Sequence, residues 1–494
     1  MEPRPLLELN VKQAIASILQ KPRWWVKWSD SEIRSRWLRE VELQLLLKTF
    51  EQSLTGWYLE LVASRAKLSA TTDPAQVVIC SAGVDGVWIS DNIVSDEVAA
   101  KLRQEVAALE NVPEEEKDWH PHSKKQVLDL VHPALFCCVF GQTLKAASAL
   151  DPLPFTTPAE QMHRLIPQGC DTNYQWIPTN FFVNDGGEPG KNVANLRILS
   201  YINNLHPEQR ADLYDTIGKI FGVFVPLFER MLGDQEEGMP RSAFRVNMQG
   251  HDTYRELPPR PKIPALKELP NNPAVVSLRG KQLQVIVKIA EIILTPEKPK
   301  YRGGSWHIEG SPAERIVGTG IYYFSCENVK NSRLSFRTEV EEPPYQQNDD
   351  EGVAEIYGLF SNSLLVQELG SVETLEARCV VFPNTLQHQV QPFELDDPTK
   401  PGARKILGFF LVDPDNSIPS TSIIPPQQEE WMETPMNFTD LDVVEQNIRS
   451  MLPRGLSWQE AKRHRLKLMK ERAVPEPDED ERDGNPRYFS LCEH

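Results

Sequence analysis

The sequence predicts an α+β protein. Its core is a double-stranded β-helix (jelly roll), preceded by a large helical N-terminal part and followed by a helical and disordered C-terminal tail. Three observations predict this. From residue 283 onward, short β-rich runs follow one another with no long helix between them, the pattern of an antiparallel sandwich or barrel. Before residue 70, apolar residues recur at helical spacing. Two histidines and a carboxylate fall at the ends of the β-runs, where a jelly roll gathers strand ends at one mouth.

Along residues 1–75, Ile33, Trp37, Val41, Leu45 and Leu46 form a helical stripe with charges between them. Trp24 and Trp25, after Pro22, read as core aromatics. Strands are expected at Val77–Cys80 and Val84–Ile89, with Gly83 and Gly86 at the turn. A helix is expected from Ser95, where Ser-Asp-Glu supplies a cap and early acids. Asp129–Leu144 is apolar, and a proline-rich loop begins at Asp151. A helix is expected over Pro207–Leu232, with Pro207 in its first turn. Six prolines among the sixteen residues from Pro258 to Pro273 predict an extended connector.

Further strands are expected at Leu283–Leu294, Ile316–Phe324, Arg333–Glu339, Ser371–Phe382, Gln387–Leu395 and Lys405–Val412. Asn348–Gly352 reads as an acidic loop tip. Ser457–Ala473 reads as a basic helix with a thin apolar side, solvated or docked but not membrane-bound. The acidic chain from Pro475 reads as disordered. The expected division is a helical domain over 1–75, a main domain over 76–430 with the jelly roll at about 276–415, and a tail over 431–494.

A net charge of −17 argues against a nucleic-acid or anionic-membrane partner, because phosphate binding needs a basic face. Seven cysteines without a CxxC pair suit a reduced intracellular protein. No apolar signal core follows the start, and no run reaches membrane-spanning length. The expected location is the cytoplasm, and the sequence does not exclude the nucleus.

The chemistry concentrates late in the chain. Gly303 to Gly310 reads Gly-Gly-Ser-Trp-His-Ile-Glu-Gly. About 80 residues later comes Phe-Pro-Asn-Thr-Leu-Gln-His, ending at His388, and Arg404 follows 16 residues after that. His307, Glu309 and His388 make up the two-histidine, one-carboxylate set that holds non-haem Fe(II) and leaves positions open. An arginine placed like Arg404 would grip the far carboxylate of 2-oxoglutarate. His206-Pro-Glu208 repeats the His-x-acid spacing where a loop enters a helix, so Glu208 reads as a partner of the helix dipole. His120-Pro-His122 lies in a charged loop with no third ligand expected nearby.

Nearly the whole chain resembles a family of fungal proteins known only as a domain of unknown function. The stretches that carry this include Asp129-Leu-Val-His-Pro-Ala-Leu-Phe, Asn173-Tyr-Gln-Trp-Ile-Pro and Ser200-Tyr-Ile-Asn-Asn-Leu-His-Pro. Leu283-Gln-Val-Ile-Val-Lys, Trp306-His-Ile-Glu-Gly, Ser332-Arg-Leu-Ser-Phe-Arg and Phe382-Pro-Asn-Thr-Leu-Gln-His belong to the same pattern. The second half is similar to the Fe(II)/2-oxoglutarate dioxygenases. That resemblance implies Fe(II) on His307, Glu309 and His388, with 2-oxoglutarate and O2 as co-substrates. Ile321-Tyr322-Tyr323 matches the strand on which prolyl-hydroxylase-like members place a 2-oxoglutarate-binding tyrosine, which implies Tyr323 here. Glu309 departs from the usual Asp.

The expected reaction is hydroxylation of an unknown organic substrate, a small metabolite in preference to a protein. Two other readings stand beside it. One is a non-catalytic jelly-roll scaffold or binding protein. The other is a cupin-like metal enzyme that uses no 2-oxoglutarate and has no need of Arg404.

Overall fold

The computed structural model describes residues 2–45, 79–91, 93–146, 162–166, 172–236, 275–343, 349–431 and 455–472, with 55, 56 and 59. It is a mixed helix-and-sheet protein whose sheets are antiparallel. In the largest sheet, Arg378–Pro383, Ile316–Glu327, Gly402–Val412 and Gln282–Leu294 lie side by side. Trp88–Asp91 extends one edge, and Val127–Val131 and Thr179–Val183 both pair with Gln282–Leu294 on the other. Each long strand is buried on both faces and reads as a near-continuous apolar run.

Helices Asp96–Glu110 and Ala211–Glu236 cover one face, where Phe221, Phe224 and Phe228 meet Tyr322, Phe324 and Phe409. The approach is close enough to need glycine. A Cβ on Gly320 would lie 2.7 Å from the Phe224 ring. On the other face, a three-stranded sheet of Val366–Glu373, Arg333–Glu339 and Gln387–Val390 closes over Ile321, Tyr323, Val380 and Phe382. A third sheet joins Lys300–Tyr301, Phe393–Leu395 and Val329–Lys330.

Several boundaries differ from expectation, each for a local reason. Ser371–Phe382 is two strands, Val366–Glu373 and Arg378–Pro383, which belong to different sheets. The chain reverses between them, with Ala377 in the left-handed region at φ 64°. Gln387–Leu395 is likewise two strands, Gln387–Val390 and Phe393–Leu395. Pro392, which has no N–H to give a ladder, stands at the break. The acidic loop tip is the start of a helix, Asp350–Tyr357, whose Asp349 carboxylate accepts from Gly352 N at 3.0 Å. The long helix begins at Ala211, so Pro207 lies in the turn before it.

At the N-terminus, helices Leu6–Leu19, Trp24–Lys27 and Ser31–Leu45 bury Trp24, Trp28 and Trp37 together. The first helix is fastened to the sheet face. Leu9 joins its apolar cluster, and Arg4 and Gln367 exchange hydrogen bonds through the Arg4 backbone. The basic helix, Trp458–Arg472, is docked: the Arg465 guanidinium forks onto buried Asp118, and Leu468 packs with Trp176 and Phe410. The loop from Asp151, the Pro258–Pro273 connector and the chain from Pro475 lie outside the described residues. Among the described residues, no helix is long and apolar enough to cross a membrane, and the five cysteines are free thiols.

Candidate metal centre

His307 and His388 are joined through their backbones. His307 N donates to His388 O at 3.2 Å, and His388 N donates to His307 O at 2.9 Å. That bridge brings together residues far apart in sequence. Gly303 prepares the approach: it sits at φ 93°, and a Cβ there would come within 3.0 Å of Val390 O. His388 lies opposite Phe336 on Gln387–Val390, with its ring 4.8 Å from Phe382 and 4.3 Å from His307.

Glu309 is held by Asn384, a residue to which the sequence alone assigned no role at the site. Asn384 accepts from Glu309 N and donates to Glu309 O, both at 2.9 Å. The amide thereby replaces a strand partner where the chain turns. Below it, buried Glu314 accepts from Ser311 N at 2.6 Å and from Trp176 N at 2.7 Å, which fixes the turn after Glu309.

The three side chains form one cluster whose ligand atoms all lie within 4.8 Å of one another. Glu309 Oε1 is 3.4 Å from His388 Nε2 and 3.9 Å from His307 Nε2. An ion about 2.1 Å from each donor holds such atoms roughly 3–4 Å apart. The donor chemistry fits as well. A backbone carbonyl can only accept, so the 2.8 Å contact of His307 Nδ1 with Ser305 O fixes the proton on Nδ1 and leaves the Nε2 lone pair free. His388 Nδ1 is buried with no hydrogen-bond partner, and packing against Phe382 orients its ring instead.

Although 44 % of the His307 side chain meets solvent, burial of its inner edge and the neighbouring His388 bring its pKa down to about 4. Burial alone would raise the Glu309 carboxyl. The His388 hydrogen bond and the nearby histidines and Lys288 outweigh it and hold the pKa at about 2. At neutral pH the cluster is one carboxylate beside a neutral, exposed His307 imidazole, the form that binds a divalent metal.

Arg404 and Tyr323 share the sheet face that looks toward His388. Strand alternation sends Tyr323 to the side of Phe336 and Phe382, and sends Tyr322 toward the helices. The Arg404 guanidinium is buried over the Tyr323 ring at 5.5 Å and the Phe393 ring at 5.1 Å. It donates to Ser332 Oγ at 2.9 Å, and its Nε has no partner. Among the described residues no carboxylate pairs with it. Burial pushes the Tyr323 hydroxyl up to about 12, so it remains a donor at neutral pH. Lys405 points the other way, 2.7 Å from Glu110 and 3.5 Å from Glu291.

One more cation stands on this face, and sequence reasoning missed it. Lys288 is half-buried opposite Gly408, which in turn lies opposite Ile321. Its charge acts on both His307 and Glu309. In sequence it is one of several polar residues in a largely apolar strand, beside Gln284 and Glu291, and only the register reveals where it points.

The His120 motif requires a correction. His120 does gain third-ligand neighbours: it clusters with Asp129 and His132, and His122 takes no part. His120 N donates to Val127 O and Asp129 N donates to Asp118 O, which folds the loop onto the next strand. The His206 motif shows no such cluster among the described residues. His206 Nδ1 accepts from Glu208 N and Gln209 N, so the histidine, not Glu208, caps the turn there.

A family model described as "Protein of unknown function (DUF4246)" matches residues 52–435. No curated protein matches the chain. Among solved structures, it is similar to the selenomethionine-labelled Fe(II)/(alpha)ketoglutarate-dependent dioxygenase TqaL, with 11 % identity over 74 % of this chain and 93 % of that one, at a TM-score of 0.29. A bsmA homolog from Methylobium petroleophilum gives 10 % identity over 72 % and 95 %, at 0.28. A prolyl hydroxylase from Trichoplax adhaerens, in complex with a hypoxia inducible factor peptide fragment, gives 10 % over 72 % and 93 %, at 0.24.

Proposed function

The chain belongs to the DUF4246 family, and we propose that it is an Fe(II)- and 2-oxoglutarate-dependent oxygenase with a jelly-roll core, hydroxylating a small organic substrate. The observation that carries this reading is the pairing of the His307–Glu309–His388 cluster with a buried arginine that has no carboxylate partner among the described residues. His307, Glu309 and His388 would hold the iron. Bound Fe(II), with 2-oxoglutarate and O2, supplies the oxidation of a C–H bond, coupled to decarboxylation of the 2-oxoglutarate.

The remaining work falls to the protein. Ser305 holds the His307 proton on Nδ1 and keeps Nε2 unprotonated. Asn384 fixes the backbone that carries Glu309. Arg404 binds the distal carboxylate of 2-oxoglutarate through its planar fork, and the Tyr323 and Phe393 rings shield that pair from water. The neutral Tyr323 hydroxyl donates to the same co-substrate. Exposed His307 marks the open side from which the substrate approaches.

The test is succinate release from 2-oxoglutarate by iron-loaded protein, screened against pools of small metabolites. Release that requires iron and rises with one pool supports the reading. Its absence across all pools, with iron bound, favours a scaffold or a metal enzyme of another kind.

A further inference from the structure

We propose that Lys288 anchors a carboxylate of the substrate, so that the substrate is a carboxylic acid with an apolar body. The inference rests on the oxygenase reading and extends it to the substrate class. Lys288 lies on the inner face, in register with Gly408, where an added Cβ would meet the Lys288 Cβ in ordinary contact at 3.7 Å. Its charge is felt at His307 and Glu309 on one side and at Asp129 and His132 on the other. No carboxylate among the described residues lies within ion-pairing distance of it.

The charges of the site show what is missing. A divalent metal, Glu309, the two carboxylates of 2-oxoglutarate and Arg404 together come to zero. Asp118 and Asp129 are balanced by Arg465 and Lys462. Among the described residues, Lys288 remains as one half-buried positive charge with no carboxylate partner. A monoanion would neutralise it. Around the lysine, the floor is apolar: Ile286 and Phe410 form the neighbouring pair on one side, Ala290 and Ile406 on the other, and Ile321 lies across Gly408. A single ammonium rising from such a floor suits one carboxylate attached to an apolar group.

The experiment uses the full chain loaded with Ni(II) and 2-oxoglutarate. Benzoate, phenylacetate and 3-phenylpropionate are titrated beside their primary amides, with binding read by ligand-observed NMR. Wild type is expected to bind at least one acid tenfold or more tighter than its amide. Lys288→Gln is expected to lose that preference while keeping 2-oxoglutarate affinity within threefold, and Lys288→Arg is expected to retain the preference. Wild type without any acid preference, or a preference that survives in Lys288→Gln, overturns the proposal. So does a tenfold loss of 2-oxoglutarate affinity in Lys288→Gln, which would make Lys288 a co-substrate residue. Wild type that takes up no 2-oxoglutarate overturns the oxygenase reading itself, and the charge count with it.

Discussion

His307, Glu309 and His388 share their composition with His120, Asp129 and His132, one carboxylate and two imidazoles within ligand distance. They differ in what the donor atoms already do. In the second cluster, His120 Nδ1 is 2.8 Å from Asp129 Oδ2, and the buried Arg465 guanidinium lies 3.5 Å from the same oxygen. His132 Nδ1 accepts from Ala134 N at 3.2 Å, so the proton of its neutral ring sits on Nε2. His132 Nδ1 and Asp129 Oδ2 are already engaged within the protein, Asp129 Oδ1 is buried without a partner, and a guanidinium stands beside the carboxylate that a metal would need to neutralise. In the first cluster both Nε2 atoms face Glu309, one imidazole reaches solvent, and among the described residues no Lys or Arg pairs with the carboxylate. Equal composition thus separates into a structural knot under the C-terminal helix and a candidate metal centre.

The largest effect expected from this contrast is on metal content. His307→Ala and His388→Ala should each lose stoichiometric Fe(II), measured anaerobically after desalting, because two ligands do not fix the ion. His120→Ala should retain it. Loss of iron in His120→Ala with full retention in His307→Ala would exchange the roles of the two clusters.

Arg404→Ala comes next. It should keep its iron and weaken 2-oxoglutarate binding by about 2–5 kcal/mol, the usual cost of truncating one partner of a buried charge pair. Lys405→Ala, on the opposite face with Glu110 and Glu291, should leave that affinity unchanged. Calorimetric titration of both variants checks the strand register directly.

Asn384→Ala removes two hydrogen bonds from the Glu309 backbone without touching a ligand atom. Iron affinity should fall about 10–100-fold, as when a supporting partner of a metal ligand is lost. Competition with a chelator measures it, and Asn384→Asp, which keeps only the accepting half of the pair, should fall between wild type and alanine.

The second cluster bears on stability instead of iron. Burial, ahead of all other causes, lowers the His132 pKa to about 3. The unfolded chain, with an ordinary histidine near 6.5, binds more protons between those values. The stability from a neutral His132 is therefore complete above pH 6.5 and is lost as pH falls toward 3. Melting temperature against pH should decline across that window, and His132→Gln should flatten the decline.

Much of this was legible in the sequence, for reasons tied to particular residues. Gln282–Leu294, Ile316–Glu327 and Gly402–Val412 announce themselves as long apolar runs, and Gly303 and Pro383 punctuate the chain near His307 and His388. Alternation within a strand separates Tyr323 from Tyr322 and Arg404 from Lys405, while the face that Tyr323 and Arg404 share follows from the pairing of their strands. The break inside Gln387–Leu395 carries a signal in Pro392, whereas the reversal at Ala377 inside Ser371–Phe382 carries no Gly or Pro to mark it. Asn384 and Lys288 stayed hidden for a different reason. Their roles lie in tertiary register, Asn384 against Glu309 and Lys288 against Gly408, which no local pattern carries. The His120 cluster was missed because its partners arrive from the following strand, nine and twelve residues on.

The central claim is that the His307–Glu309–His388 centre works with 2-oxoglutarate. Its most direct test is anaerobic titration of 2-oxoglutarate into Fe(II)-loaded protein. We expect one equivalent to bind in an iron-dependent manner, with binding abolished in Glu309→Ala and strongly weakened in Arg404→Ala. Iron held stoichiometrically by the wild-type chain with no 2-oxoglutarate bound, or binding indifferent to both substitutions, would contradict the account.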